Sequence, residues 1–219
     1  PNALTTEEVE ACNQAIDHNI ELPRERESSL AGGSEALAVV HAKVSPYLKL
    51  ILGDRYRLDH GPSLIAMDRG TEGGALHGGG IERPNFSEAY FFKDGRIYCG
   101  LTVVEFMLAD EQAEDGGLAL IPGSHKANLA CPGAMKLYQQ YQQYVVKIEA
   151  KAGDVVIFTE TLTHGTLPWK GKHQRRALLY KFSPGFQAYS QGAHQVTYPD
   201  YIEDMSPEER AVMEAPHIR

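Results

Sequence analysis

Two histidines and an arginine, far apart in the chain, have the residue types and spacing to do chemistry. His77 stands in the glycine-rich segment Leu76-His77-Gly78-Gly79-Gly80. His164 follows Ala152-Gly153-Asp154-Val155-Val156-Ile157-Phe158, a turn and then an apolar strand, and falls where such a strand would end at the mouth of a barrel. Eleven residues further on, Arg175 opens the apolar run Ala177-Leu178-Leu179-Tyr180. Neutral imidazole is a metal ligand, and a guanidinium grips a carboxylate through two parallel hydrogen bonds. A histidine at one strand end and an arginine at the start of the next therefore suit a metal-bound keto acid, with the histidine as ligand and the arginine as anchor for the distal carboxylate. Glu105 adds a carboxylate in an apolar run. Alternation puts Leu101, Val103, Glu105 and Met107 on one face, so an inward-facing strand would bury this acid and oblige it to find a cation or a donor.

Elements that could position these residues follow from periodicity. Thr5 or Thr6 before Glu7 and Glu8 is an N-cap pattern, and Val9, Cys12 and Ile16 form an apolar stripe, predicting a first helix through about His18. Residues 21–35 are polar and Gly-bearing and read as a loop, with a second helix over 36–52. From Tyr56 onward, short apolar runs alternate with turn residues, as a sandwich or barrel of antiparallel strands requires. Strands are expected over 55–60, 63–68, 88–92, 97–108, 118–121, 145–148, 154–158 and 176–183, with a hairpin turn at Lys93-Asp94-Gly95-Arg96. Ser206 before Pro207 starts a short last helix reaching about Glu214. The expected plan is one domain, with a helical part at 1–52, a β core at 55–185 and an extension at 186–219.

Composition narrows the classes of partner. The 219 residues are 42% hydrophobic and 23% charged, enough for one substantial core. A net charge of -8 argues against duplex nucleic acid or an anionic membrane surface as partner, since both reward a basic face. The three cysteines, Cys12, Cys99 and Cys131, are too few and too scattered for a disulfide framework or a zinc knuckle. With no apolar run of membrane-spanning length and no signal-like amino end, the protein is expected to be soluble and cytoplasmic. Its oligomeric state is open.

The segment Gly116-Gly117-Leu118-Ala119-Leu120-Ile121-Pro122-Gly123-Ser124-His125-Lys126, followed by Gly153-Asp154, His164-Gly165 and Arg175, resembles the phytanoyl-CoA dioxygenase family of iron(II)- and 2-oxoglutarate-dependent oxygenases. The resemblance spans about residues 56–214. It implies a double-stranded β-helix, the jelly-roll or cupin-like fold, with N-terminal helices and iron near one open end. It implies further that His77 and His164 are the metal histidines and that Arg175, with Thr166, holds 2-oxoglutarate. The activity implied is oxidative decarboxylation of 2-oxoglutarate to succinate, coupled to hydroxylation of a C–H bond of a small molecule.

One departure matters. Such sites carry His-x-Asp, and here the third position is Gly79, which has no side chain to offer a metal, so the two-histidine, one-carboxylate triad is incomplete as written. If the position stays open, chloride could bind there, as in radical halogenases of the superfamily. If a carboxylate arrives from elsewhere, Glu105 is the leading choice, ahead of Glu82 and Asp59. Plainer roles for Glu105 are an ion pair inside the barrel or a contact with substrate. A third reading of the whole chain is a catalytically silent jelly roll that binds a ligand.

Other residues are weighed against plainer roles as well. His60, beside Asp59, is expected to line the substrate pocket or to support His77, and Trp169 to pack on the barrel lip or on substrate. Arg175 and Arg176 should point to opposite faces. Lys170, Lys172 and Arg176 near the proposed mouth suit either an anionic substrate or a solvated surface. His125 reads as part of a structural turn, and the glycine cluster lacks the strand–helix context of a phosphate cradle.

Overall fold

The computed structural model describes residues 1–21, 33–78, 89–127, 129–189 and 200–217. Two helices open the chain, α1 (Thr6–Glu21) and α2 (Gly33–Leu52). Nine strands follow among the described residues: β1 (Tyr56–Met67), β2 (Tyr90–Lys93), β3 (Arg96–Cys99), β4 (Thr102–Met107), β5 (Gly117–Leu120), β6 (Val146–Lys147), β7 (Val155–Thr159), β8 (His164–Leu167) and β9 (Arg175–Pro184). One helical turn, α3 (Gly133–Lys136), lies between β5 and β6, and α4 (Pro207–Val212) follows β9. Helix α4 is capped as its sequence requires: Ser206 accepts from the Glu209 N–H, the Glu209 side chain reaches back, and Pro207 opens the first turn.

The major sheet has the order β1-β9-β4-β7, the minor sheet β6-β5-β8, and β2-β3 stands apart as a hairpin. Every pairing is antiparallel. The jelly-roll expectation therefore holds as two facing sheets rather than a closed barrel. Strand period decides the layers. On β9, Leu178, Tyr180 and Phe182 face outward and are fully buried beneath α1, α2 and α4 through Ile16, Val44, Leu48 and Val212. Each such aromatic or aliphatic side chain contributes about 1.5–3 kcal/mol by leaving water. The intervening residues Arg175, Ala177, Leu179, Lys181 and Ser183 face the minor sheet, where Val103, Met107, Phe158 and Leu118 form the inner core. A third cluster, Leu76, Ala119, Ile121 and Leu167, covers the far side of the minor sheet.

Several boundaries differ from expectation. The two runs expected at 55–60 and 63–68 form one strand, β1, with register shifts on either side of His60, where Asp59 has no residue opposite. The run expected over 97–108 divides at Gly100 and Leu101 into β3 and β4. His164, expected where the preceding strand ends, instead opens a strand of its own, β8. Helix α2 begins at Gly33 rather than Ala36, and residues 22–32 of the expected loop lie outside the described set. Asp94 and Gly95 both have positive φ, as the tight hairpin turn demands. Among the described residues no helix is long and apolar enough to cross a membrane.

Candidate metal centre

His77 and His164 come together by backbone pairing. Each donates its N–H to the other's carbonyl, at 2.7 and 2.9 Å, so the two residues form an antiparallel bridge at the edge of β8. Directly opposed residues share a face, and the rings stand 4.3 Å apart between centroids. Glycines make this approach possible. A Cβ on Gly78 would lie 2.5 Å from the Glu160 carbonyl and 2.7 Å from that of Leu162, and Gly78 has φ +73°. A side chain at Gly73 would likewise strike the backbone of Thr166 and Leu167.

The His164 ring is held with one nitrogen engaged and the other free. Its Nδ1 is 2.6 Å from the Leu162 carbonyl, which fixes the proton there and leaves the Nε2 lone pair free. Burial drives its pKa down to about 4, outweighing the Leu162 hydrogen bond and the nearby Glu160 carboxylate, so the ring is neutral at physiological pH. His77 is exposed. Among the described residues, one further side chain joins them. Glu160, only 6% exposed, turns Oε1 to within 4.0 Å of His164 Nε2, and ligand atoms of His77, Glu160 and His164 all lie within 4.8 Å of one another. Lys181 sits 3.0 Å from the other carboxylate oxygen, Oε2.

Arg175 lies deeper between the sheets, buried at 2% exposure, while Arg176 points to the opposite face and pairs with Asp17 of α1 at 2.7 Å. The Arg175 Nε donates to Glu111 Oε2 and its Nη2 to Glu105 Oε1, each at 2.7 Å. Glu111 also accepts the Leu118 N–H, which ties the arginine to β5. Burial alone would lower the guanidinium's pKa, but Glu105 and Glu111 raise it, so it stays charged. Its Nη1 is buried without a hydrogen-bond partner among the described residues. An orphaned guanidinium N–H inside a protein is a donor waiting for an acceptor. Thr166 points from β8 into the same interior, two residues past His164 and opposite Leu118.

Glu105 is not the carboxylate beside the histidines. Its Oε1 is taken by Arg175 within a fully buried strand, and burial pushes its pKa up despite that pairing. Trp169, expected to meet substrate, is fully buried and donates its indole N–H to the His173 carbonyl at 2.7 Å, so it packs the core. His60 does not support His77. Its Nδ1 lies 2.9 Å from Asp59 Oδ1, and it stands opposite Lys181 on the inner face with a side chain one-third exposed. Asp59 is in turn held by Arg57 and Ser183, each at 3.0 Å, which commits it to this cluster and not to a metal. His125 packs edge-on against Tyr90 in a short turn. Gly79 and Glu82 lie outside the described residues. Glu160 escapes the sequence reading because it stands outside the His-x-Asp pattern; its one local signal is an acid four residues before His164 in the run Thr159-Glu160-Thr161-Leu162-Thr163.

The phytanoyl-CoA dioxygenase (PhyH) family matches residues 87–177. No curated protein matches the chain. Among solved structures, HygX from Streptomyces hygroscopicus with nickel and 2-oxoglutarate bound superposes with a TM-score of 0.73 at 21% identity, covering 86% of this chain and 82% of that one. The epimerase SnoN from nogalamycin biosynthesis, described as non-heme and alpha ketoglutarate dependent, gives 0.61 at 15% identity, covering 85% and 77%. AviO1 from Streptomyces viridochromogenes Tue57 gives 0.58 at 14%, covering 83% and 86%. These likenesses concern the fold. Motif spacing and the family match over residues 87–177 agree in likeness to the phytanoyl-CoA dioxygenase family, and the fold is that of the solved structures named.

Proposed function

We propose that the protein is an iron(II)- and 2-oxoglutarate-dependent oxygenase that hydroxylates a C–H bond of a small molecule. The observation that carries this reading is the pairing of His77 with His164 near a buried arginine whose Nη1 has no partner among the described residues. The donor set fits both groups: two imidazoles, one with its proton fixed away from the metal side, and a guanidinium Nη1 with no partner among the described residues to meet a carboxylate. HygX with nickel, 2-oxoglutarate and hygromycin B bound supports a small-molecule substrate.

His77 and His164 would hold the iron, and Arg175 with Thr166 the distal carboxylate of 2-oxoglutarate. Together, when bound, iron and 2-oxoglutarate supply oxidising power as the keto acid passes to succinate and carbon dioxide. The chain's own work is placement and exclusion. Glu105 and Glu111 hold the guanidinium through Nη2 and Nε, which leaves Nη1 to be presented. Val103, Phe158, Leu162 and Leu179 pack as an apolar cluster between the sheets, and such a cluster excludes water. His60, steadied by Asp59, offers its remaining nitrogen to the substrate from the inner face.

In air, purified protein given iron(II) and 2-oxoglutarate should release succinate, and His77→Ala or His164→Ala should reduce that release on the order of 100-fold while circular dichroism stays native. Folded wild-type protein that forms no succinate, with ligand binding unaffected in both variants, would instead establish a silent binding module.

A further inference from the structure

We propose that Glu160 is the third protein ligand of the metal, supplying from the β7–β8 turn the carboxylate that Gly79 cannot supply, and that Lys181 is the positioning residue that keeps it single-toothed. The inference rests on the iron-dependent reading of the site.

Geometry makes the case. Glu160 follows the last residue of β7, and its N–H donates to the Leu101 carbonyl at 2.9 Å, so the carboxylate is launched from a fixed backbone point. Within five residues the chain then presents a carboxylate, the Leu162 carbonyl that fixes the ring proton, and the His164 ring. The His77 segment lies against this turn through Gly78, which brings the second imidazole to the same place. A buried carboxylate with one ammonium neighbour among the described residues is expensive to keep unless both oxygens are used. The Lys181 ammonium lies 3.0 Å from Oε2 as an ion pair, and Oε1 is the atom turned toward His164 Nε2 at 4.0 Å. Ligand atoms about 2.1 Å from a common ion sit about 3 Å apart, so the three groups, within 4.8 Å of one another, would close by roughly 2 Å on a bound ion. Of the other carboxylates, Glu105 and Glu111 are both engaged on Arg175, and Asp59 on Arg57.

A filled third position also separates the two chemistries left open by Gly79. With Glu160 in place, no coordination site is reserved for chloride, and hydroxylation follows in preference to halogenation. Lys181, by holding Oε2, prevents the carboxylate from taking two positions and leaves room for 2-oxoglutarate and oxygen.

The test is anaerobic titration with cobalt(II), read by visible absorption and calorimetry, on wild type, Glu160→Gln, Glu82→Gln, Lys181→Met and Lys181→Arg. Glu160→Gln should weaken cobalt binding by about 100-fold or more, and Lys181→Met by about 10-fold with recovery in Lys181→Arg. Chloride should leave the wild-type cobalt spectrum unchanged. Equal affinity in wild type and Glu160→Gln, a loss confined to Glu82→Gln, or a chloride-shifted wild-type spectrum overturns the assignment. Should Glu160→Gln fail to fold, a crystal of manganese-loaded wild type decides: Oε1 at about 2.2 Å supports it, and water or chloride in that place overturns it. Wild type that binds no metal at all would instead remove the oxygenase reading itself.

Discussion

Arg175 shares one positive charge between two buried carboxylates, and that imbalance has measurable consequences. Removing the arginine leaves Glu105 and Glu111 buried without a counter-ion, so Arg175→Met should lower stability by about 3–5 kcal/mol in a denaturant titration. Glu105→Gln keeps the shape and removes the surplus charge, and should change stability at pH 7 by less than about 1 kcal/mol. Glu105 also has a signed pH effect. Burial, reinforced by Glu111 and opposed by Arg175, raises its folded-state pKa, so the folded chain holds this proton after the unfolded chain has lost it. That contribution is present below the ordinary glutamate pKa of about 4.3 and is lost as pH rises toward the raised folded value. The stability difference between wild type and Glu105→Gln should therefore slope downward with pH above that point. A flat difference curve would mean that Glu105 titrates normally. His164, by contrast, is held neutral by burial and keeps its lone pair for a metal at physiological pH.

At the scale of elements, the close approach of the 73–78 segment to β8 and to the turn before it carries the site. Gly78→Ala would force a Cβ against two carbonyls in a left-handed backbone region and should cost about 2 kcal/mol or more, with metal affinity falling in parallel. Gly74→Ala, which meets nothing within 4 Å and has no positive φ, should be nearly neutral in both measurements. Equal effects in the two variants would show that the tight packing at Gly78 is not what holds His77 in place. The strands are legible in the sequence because apolar and polar residues alternate, and Ser206-Pro207 marks the start of α4 through capping chemistry. Arg175 and Arg176 separate onto opposite faces because strand period allows nothing else. Alternation places Glu105 on the inner face, where it stands, yet its surroundings are not legible: Glu111 lies beyond the strand, and nothing local shows that it turns back toward Arg175. Glu160 is obscured for the same reason, since its closeness to His77 is a product of long-range pairing. Trp169 shows the converse, a large aromatic near a site that reads as a substrate contact while the core takes its volume.

Across the whole molecule the parts form three jobs in three layers. Helices α1, α2 and α4 seal the outer face of the major sheet, the inner faces of both sheets hold the arginine and the apolar cluster, and the edge at β8 carries the residues proposed to hold the metal. The pairing of β9 with β1 and β4 fixes Arg175 and Lys181 on one strand, so the proposed co-substrate anchor and the proposed carboxylate partner keep a constant separation. On the proposed reading, what this interior assembles is an iron and 2-oxoglutarate centre. Its most direct measurement is anaerobic addition of iron(II) and then 2-oxoglutarate to the purified chain, followed by visible absorption. A weak charge-transfer band that saturates at one iron per chain, and is absent in His164→Ala, is the predicted result; folded wild-type protein that develops no band at any ratio of iron to 2-oxoglutarate would contradict it.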